Sequence, residues 1–455
     1  MSLFNYDKSL NRMETPGGVI TLTSLFLPFF IEMILTNSMG TINTLALSRY
    51  SENSVAAVGA AAQLMLMIFT FYGVVSAGAS IVISQNLGAR KYKTAGDASI
   101  ISICFSAIMS ILLGIILSLC ARPILTLMNL EDHLLQDAVT YFRICVSFSF
   151  FQAIYTSLSS IFRSYGRPRT AVKVSLFMSF TNAILNIIIV YRPFPFPLHG
   201  VWGIAVSSVL SQSIGMCLLF YFFKRASLGI RFEKETFKHI SLIGKIFSIG
   251  IPGGISNLSY SLSQVISTSI VATLGATAVS TKIYLDNIFF YVSVLGLALG
   301  QATSIMISRL SGAHMFEQAF KLNKQNLKIA IFCNVTLSLL IFVFGNHLIG
   351  IFTDNPDIIK IARIIMMIDL FVEIGRGFNH IENNSLRGSG DVFYPMLISI
   401  TSCWIMSISF SYILGIKLGF GLMGCWVAFA MDELFRGILF FRRWRSGKWR
   451  GKVLL

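Results

Sequence analysis

Charge is what this sequence has least of. Only 12% of its 455 residues are Asp, Glu, Lys or Arg, about half the roughly 25% of an ordinary globular domain. A soluble chain of this length could not cover its surface with so few charges, which excludes soluble enzymes and disordered regulators. Paired cysteine is missing as well. Cys104, Cys120, Cys145, Cys217, Cys333, Cys403 and Cys425 fall singly in apolar stretches, without a CxxC or Cys/His pairing, so a secreted disulfide scaffold is excluded and each reads as a small buried apolar residue. The histidines, His133, His199, His239, His314, His347 and His380, lie far apart, and no metal site is visible. Acids are scarcer than bases, 20 against 36, for a net charge of +16. Those bases are scattered among short loops instead of gathered on one exposed domain, so nucleic acid is not the partner. No cleavable signal peptide is evident: the first 18 residues are polar, and the first apolar run is too long and has no small-residue cleavage site behind it.

What fills the sequence is hydrocarbon. Hydrophobic residues make up 55% and mean hydropathy is +0.73. Breaking the apolar pattern at charge, Gly and Pro clusters gives twelve spans, near 19–47, 54–84, 97–121, 134–161, 171–191, 200–223, 241–272, 280–308, 327–352, 358–384, 392–415 and 421–441. The chain reads as an all-α polytopic membrane protein. With both termini cytoplasmic, 26 Lys and Arg fall on the inner side, among them Lys8, Arg163, Arg231 and Arg387. The outer loops then hold seven, Arg49, Arg122, Arg192, Lys282, Lys360, Arg363 and Lys417. That asymmetry sets the orientation.

Compared with itself at an offset of 224, the chain matches without gaps: Pro28 with Pro252, Val55 with Val279, Arg163 with Arg387, Gly166 with Gly390. Seven of the 17 positions from 79 to 95 are identical to their partners, and at an offset of 221 Gly200 and Gly203 meet Gly421 and Gly424. Residues 1–225 form an N-terminal six-helix lobe with the start of a central linker, and 226–455 the rest of the linker, a C-terminal six-helix lobe and a basic tail. Six is even, so the halves enter the membrane in the same direction and form two parallel six-helix repeats. That arrangement belongs to secondary transporters with a central site between halves.

The segments SVAAVG, SIVISQNLGARKYKTA and FRSYGRPRTA, with their second-half partners SIMISRLSGAHMFEQA and LRGSGDVFYP, resemble the multidrug and toxic compound extrusion (MATE) transporters over essentially the whole chain. The resemblance implies export of organic, often cationic, compounds across the cell membrane in exchange for Na⁺ or H⁺, by a monomer with no bound cofactor. A flippase for a lipid-linked saccharide or other amphiphile is the first alternative. A membrane-embedded enzyme is the second; it would need paired catalytic groups at one depth, and His380 is the one histidine well inside a span.

A charge at the bilayer centre costs at least about 2.5–3.5 kcal/mol, which makes intramembrane ionisable residues functional candidates. Glu32, four residues after Pro28, is the one carboxylate well inside the first six spans. It is expected to couple transport to the ion gradient, or else to serve as a protonated, hydrogen-bonded strut. The resemblance implies a coupling aspartate 15 residues after the first proline, where this chain has Asn43, and two supporting asparagines, here Asn182 and Asn186. Glu32 lies about 16 Å along the helix from Asn43, so direct replacement of the missing acid is doubtful. The family's second-lobe acids are absent too, their positions being Tyr260 and Arg376. The tenth span instead carries Asp369, Glu373, Arg376, His380 and Asn383 along one face. This stripe is either an internal Glu373–Arg376 ion pair that holds the helix, or a titratable network on a cavity wall in which His380 supplies pH dependence. Asp432, Glu433 and Arg436 are expected to be architectural, and Asp286 simply solvated.

Overall fold

The computed structural model describes residues 12–455 except 17, 49–51, 129–130, 192–199, 227 and 231. Lys8, Arg49, Arg192, His199 and Arg231 of the sequence reading lie outside the described residues. A short hairpin, β1 (Met13–Thr15) with β2 (Gly18–Ile20), comes first. It takes residues 19 and 20 out of the first predicted span, because Gly18 at φ +125° turns the chain back. Then come α1 (Leu22–Ser48), α2 (Glu52–Gly88), α3 (Tyr92–Leu119), α4 (Ala121–Thr126), α5 (Asp132–Ser147), α6 (Phe150–Ser164), α7 (Pro168–Tyr191) and α8 (Gly200–Arg225). After a 3₁₀ turn at Lys234–His239 follow α9 (Ser241–Ala272), α10 (Ala276–Gly312), α11 (Phe316–Val343), α12 (Gly345–Gly350), α13 (Pro356–Ser389), α14 (Phe393–Ser402) and α15 (Gly421–Arg445). Beyond α14 the helix widens into π turns at Cys403–Ser409 and Ser411–Lys417.

Among the described residues eight helices are long and apolar enough to cross a membrane, and nine if α5 and α6, which meet at 47°, make one pass. The long helices left over complete the twelve. They are α9, rich in Ser and Gly, and α13 and α15, which carry the buried charges. The protein is thus a multi-pass α-helical membrane protein.

The duplication is visible in the backbone. Helices α2 and α10 both have 37 residues, α3 and α11 28, and α4 and α12 six, each pair 224 positions apart. Arg90 (φ 59°) and His314 (φ 56°), the two non-glycine left-handed residues among those described, occupy one repeat position. Gly166 and Gly390 share another, and Gly200 and Gly421 a third. Each copy closes its helices alike: Lys91 N donates to Asn86 O at 2.9 Å as Met315 N does to Leu310 O at 2.8 Å. Likewise Arg167 N reaches Phe162 O at 2.8 Å and Asp391 N reaches Leu386 O at 2.9 Å, the bonds of Schellman caps. The copies part company at two places, one of them the π turns beyond α14, where α7 stays a regular helix. At the other, α13 runs unbroken where its counterpart bends between α5 and α6, so that Ser149 at the bend corresponds to Glu373 inside a continuous helix.

Contacts group residues 14–87 with 91–250 in one unit and 251–455, with 88–90, in another. The first packs about Tyr72, Leu125, Phe142 and Ile204, the second about Phe289, Ile365, Met366 and Trp426. Lipid is as apolar as these side chains, so close approach at small residues must hold the helices together. A Cβ on Gly375 would lie 2.7 Å from the Glu433 carbonyl carbon, and one on Gly437 2.8 Å from Phe378 Cβ, so α13 and α15 cross almost backbone to backbone. All seven cysteines are free. Cys145, Cys403 and Cys425 are buried as expected, but Cys120 and Cys217 are exposed; in a membrane helix an apolar position can face lipid as readily as a neighbour.

Candidate functional site

In the first unit α1, with Pro28 inside it, presents Phe29 and Glu32 to α6. Arg163 Nη1 donates to Glu32 Oε2 at 2.7 Å and Ser159 Oγ to Glu32 Oε1 at 3.0 Å. The Arg163 guanidinium also sits 4.7 Å over the Phe29 ring. Glu32 is therefore an ion-paired carboxylate, 13% exposed, with its arginine at 15%. This arginine had been counted as a basic loop residue, yet it is one residue from the end of α6. Its repeat partner Arg387 behaves alike, reaching the residue after Pro252, where its Nη2 fills the space a Cβ on Gly253 would need. Where α1 has Glu32, α9 has Ser256, whose hydroxyl donates to its own helix at Pro252 O, 2.9 Å away. Only the first copy supplies a carboxylate.

Asn43, Asn182 and Asn186 do come together, in a cluster separate from Glu32. Asn186 Nδ2 donates to Asn43 Oδ1 at 2.6 Å and to Asn182 Oδ1 at 3.3 Å, and Ser207 Oγ donates to Asn186 Oδ1 at 2.6 Å. Asn43 Nδ2 in turn reaches Ser208 Oγ at 3.2 Å. Amides and hydroxyls thus join α1, α7 and α8, and Asn182 Nδ2 is left buried without a partner.

In the second unit a cavity of about 220 Å³ is walled by Tyr260, Phe289, Phe290, Trp426 and Phe429, with Arg376, Lys282 and Asp286 as its charges. Tyr260 and Arg376 thus meet on one wall. Behind them, Glu373 is fully buried and accepts from Arg376 Nη1 and, at 3.1 Å, from Asn334 Nδ2. Arg376 also donates to Ser293 Oγ at 2.9 Å and lies 5.1 Å over the Phe429 ring. Asp369 accepts from Trp426 Nε1 at 3.2 Å, while its Oδ2 is buried with no partner. His380 stands further along α13, packed against Gly296, its Nε2 buried and unpartnered. On α15, Arg436 holds Asp432 and Glu433, each at 2.7 Å, and Ser402 and Asn379 donate to the same two acids at 2.6 and 2.7 Å. Every charge there is matched within the helix packing.

Asp286 is solvated as expected, its side chain 52% exposed, and it also lines the cavity and pairs at 2.5 Å with Lys282, whose side chain is 12% exposed. The expected loop position of Lys282 is corrected by the same fact, since α10 begins at Ala276, a turn and a half earlier. Glu382, which no sequence argument singled out, is fully buried; Asn323 Nδ2 donates to its Oε2 at 3.3 Å, and Oε1 has no partner. Arg163 could have been found from its match with Arg387 beside the paired prolines. Glu382 lies between stripe positions, and nothing in the pattern separates it from a helix-end acid.

The family described as MatE matches residues 28–188 and 252–413, one copy on each repeat. The uncharacterized transporter YisQ of Bacillus subtilis is 37% identical over 443 residues, 97% of each chain. A probable multidrug resistance protein NorM of Thermotoga maritima is 27% identical, over 100% of this chain and 97% of its own. Among solved structures, the outward-facing conformation of a multidrug resistance MATE family transporter superposes with a TM-score of 0.85 at 20% identity, covering 98% of both chains. A transporter of the MOP superfamily from Pyrococcus furiosus, described as having a binding pocket of reverse polarity, gives 0.84 at 20% identity, covering 96% of this chain and 97% of its own. At that identity the structures speak for the fold, and the sequence matches for the kinship. With both repeats matched and a relative aligned nearly end to end, the chain belongs to the MatE family of multi-pass membrane transporters.

Proposed function

We propose that this transporter exports organic, cationic amphiphilic compounds across the cell membrane as a monomer, in exchange for Na⁺ or H⁺, with both termini in the cytoplasm. The observation that carries the coupling half of this reading is the Glu32–Arg163 pair. A proton or Na⁺ arriving at Glu32 competes with Arg163 for the same carboxylate oxygens. Its binding frees the guanidinium and loosens α1 from α6; its departure restores the pair. A charge pair that can exchange one partner for an ion is a bistable element of the kind a gradient can drive. Asn43, Asn182 and Asn186 serve as neutral support, each amide oxygen keeping a second lone pair for a hard cation. Support for the substrate half comes from the aromatic cavity of the second unit. Each basic group on its wall has its own carboxylate, Glu373 for Arg376 and Asp286 for Lys282. The ring faces therefore meet a flat organic cation without an uncompensated positive charge beside them. In this reading Tyr260 and Arg376 touch the substrate, while Asp369, Glu373 and His380 position them.

Transport in proteoliposomes tests it, with Na⁺ and pH gradients imposed separately and a cationic dye as reporter. Glu32→Gln should abolish gradient-driven export while the protein stays folded and inserted. Undiminished export in that variant would leave Glu32 a structural residue.

A further inference from the structure

A second cavity, of about 740 Å³, lies in the first unit, lined by residues of neither polar network. Ile100, Ile103 and Cys104 of α3 and Phe220 and Phe223 of α8 line it, with one charge, Lys224. Leu228 and Phe232, in the segment that follows α8, complete the wall. Its size is that of a ligand pocket, about 300–1,000 Å³, yet its surface offers almost nothing for a polar ligand to bond.

Three features describe what fits. First, the cavity opens toward hydrocarbon: on α3, Cys104 continues in steps of four, three and four into Ile108, Ile111 and Ile115, all exposed. Second, it has the depth of a single leaflet. Ile100 and Cys104 lie three and seven residues into the apolar stretch that begins near residue 97, about 5–10 Å along the axis, within one leaflet of a hydrocarbon core of about 30 Å. Third, its shallow end is basic. Lys224 is the penultimate residue of α8, exposed, with its Nζ 4.9 Å over the Phe220 ring, and Arg225 beside it is held by Tyr221 Oη at 2.7 Å. The acids of the following segment, Glu233 and Glu235, both lean on Lys93, at 3.7 and 3.6 Å.

We propose that this cavity is a binding site for one anionic phospholipid, an acyl chain filling the apolar interior and the headgroup phosphate meeting Lys224, with Arg225 adjacent. An acyl chain suits a long dry slot open to the bilayer, and the single ammonium at the rim selects a negative headgroup. The chain segment after α8 packs over the lipid as the cavity's outer wall, so the bound lipid fastens the start of the connection between the two repeats. This site is independent of the coupling reading, and its test reads no transport.

Native mass spectrometry of the detergent-purified protein, with phosphatidylglycerol or phosphatidylcholine of identical chains added, measures it. Retention of one phosphatidylglycerol should exceed that of phosphatidylcholine about fivefold, the ratio for about 1 kcal/mol per basic group. Lys224→Gln, a change at an exposed side chain, should remove the preference, and Ile103→Trp, which fills the slot, should lower retention of both lipids. Equal retention of the two lipids by the unmodified protein would overturn the proposal. So would a preference that survives Lys224→Gln, or lipid binding unaffected by Ile103→Trp.

Discussion

Glu373 holds Arg376 on the cavity wall, and the strength of that hold can be measured. Glu373→Gln keeps the side chain's shape and its bond from Asn334, but leaves Arg376 with Ser293 and the Phe429 ring. Removing one partner of a buried pair costs about 3–5 kcal/mol. Arg376 is 13% exposed and faces the cavity, where water can reach it, so the lower end applies, about 3 kcal/mol. Arg376→Gln is worse. It strands a carboxylate with no exposure at all, and the upper end applies, about 5 kcal/mol. At about 2–4 °C per kcal/mol for a body of 150–250 residues, Glu373→Gln should melt roughly 6–12 °C low and Arg376→Gln roughly 10–20 °C low. The double variant should recover much of both, because neither charge is then left alone. A thiol-reactive fluorogenic dye reads the melt, since Cys403 and Cys425 are buried and free in this unit. Binding of a cationic and a neutral substrate is measured beside it. Because Arg376 is then uncompensated on the cavity wall, Glu373→Gln should also weaken the cationic substrate more than the neutral one. A variant that melts like the unmodified protein yet loses only cationic substrates would refute the reasoning, and Glu373 would be a substrate ligand.

Asn186→Leu removes three hydrogen bonds, to Asn43, Asn182 and Ser207, at about 1 kcal/mol each; an unchanged melting curve would show that the amide cluster does not clasp α1, α7 and α8. Gly375→Ala pushes a methyl to 2.7 Å from the α15 backbone and should cost about 1–3 kcal/mol, whereas Gly244→Ala, with nothing within 4 Å, should be neutral or slightly stabilising. Equal stability of the two alanine variants counts against the close crossing. Orientation is tested with cysteines at Glu131 and Lys91, in a background where exposed Cys120 and Cys217 are replaced. An impermeant reagent outside the cell should label the first and miss the second, and the reverse pattern rejects cytoplasmic termini.

The repeat made the architecture legible before any coordinates. Matches at one offset located both copies and, in Gly166/Gly390 and Gly200/Gly421, their left-handed caps. Asn182 and Asn186 were readable because four residues along a helix is a contact, and Glu32 because a lone carboxylate in hydrocarbon is costly. For its partner the one mark is the match of Arg163 with Arg387, since Arg163 is 131 positions away and a basic residue at a helix end looks like a topology signal. The cavity aromatics were hidden for another reason. With 39 phenylalanines in the chain, lipid-facing and neighbour-facing rings have the same periodicity, and only packing separates Phe289 and Phe429 from the rest. The bend between α5 and α6 and the π turns after α14 leave no mark on hydropathy.

A duplicated chain drifts independently in its two copies, and what both retain shows what no change elsewhere could replace. Among the survivors are backbone features: the left-handed residues at 90 and 314, 166 and 390, 200 and 421, and the bonds that close the helices beside them. These are inherited demands of the shape, indifferent to cargo. The pairs that have diverged form the complementary set: Glu32 against Ser256, Ser149 against Glu373, Tyr72 against Gly296. Apart from Ser149 at the bend between α5 and α6, each lies inside a helix, and every pair has a member with a polar contact. Divergence between the copies therefore sorts this one sequence, without any second species, into the part that preserves an ancestral half-length fold and the part in which each half took up separate work.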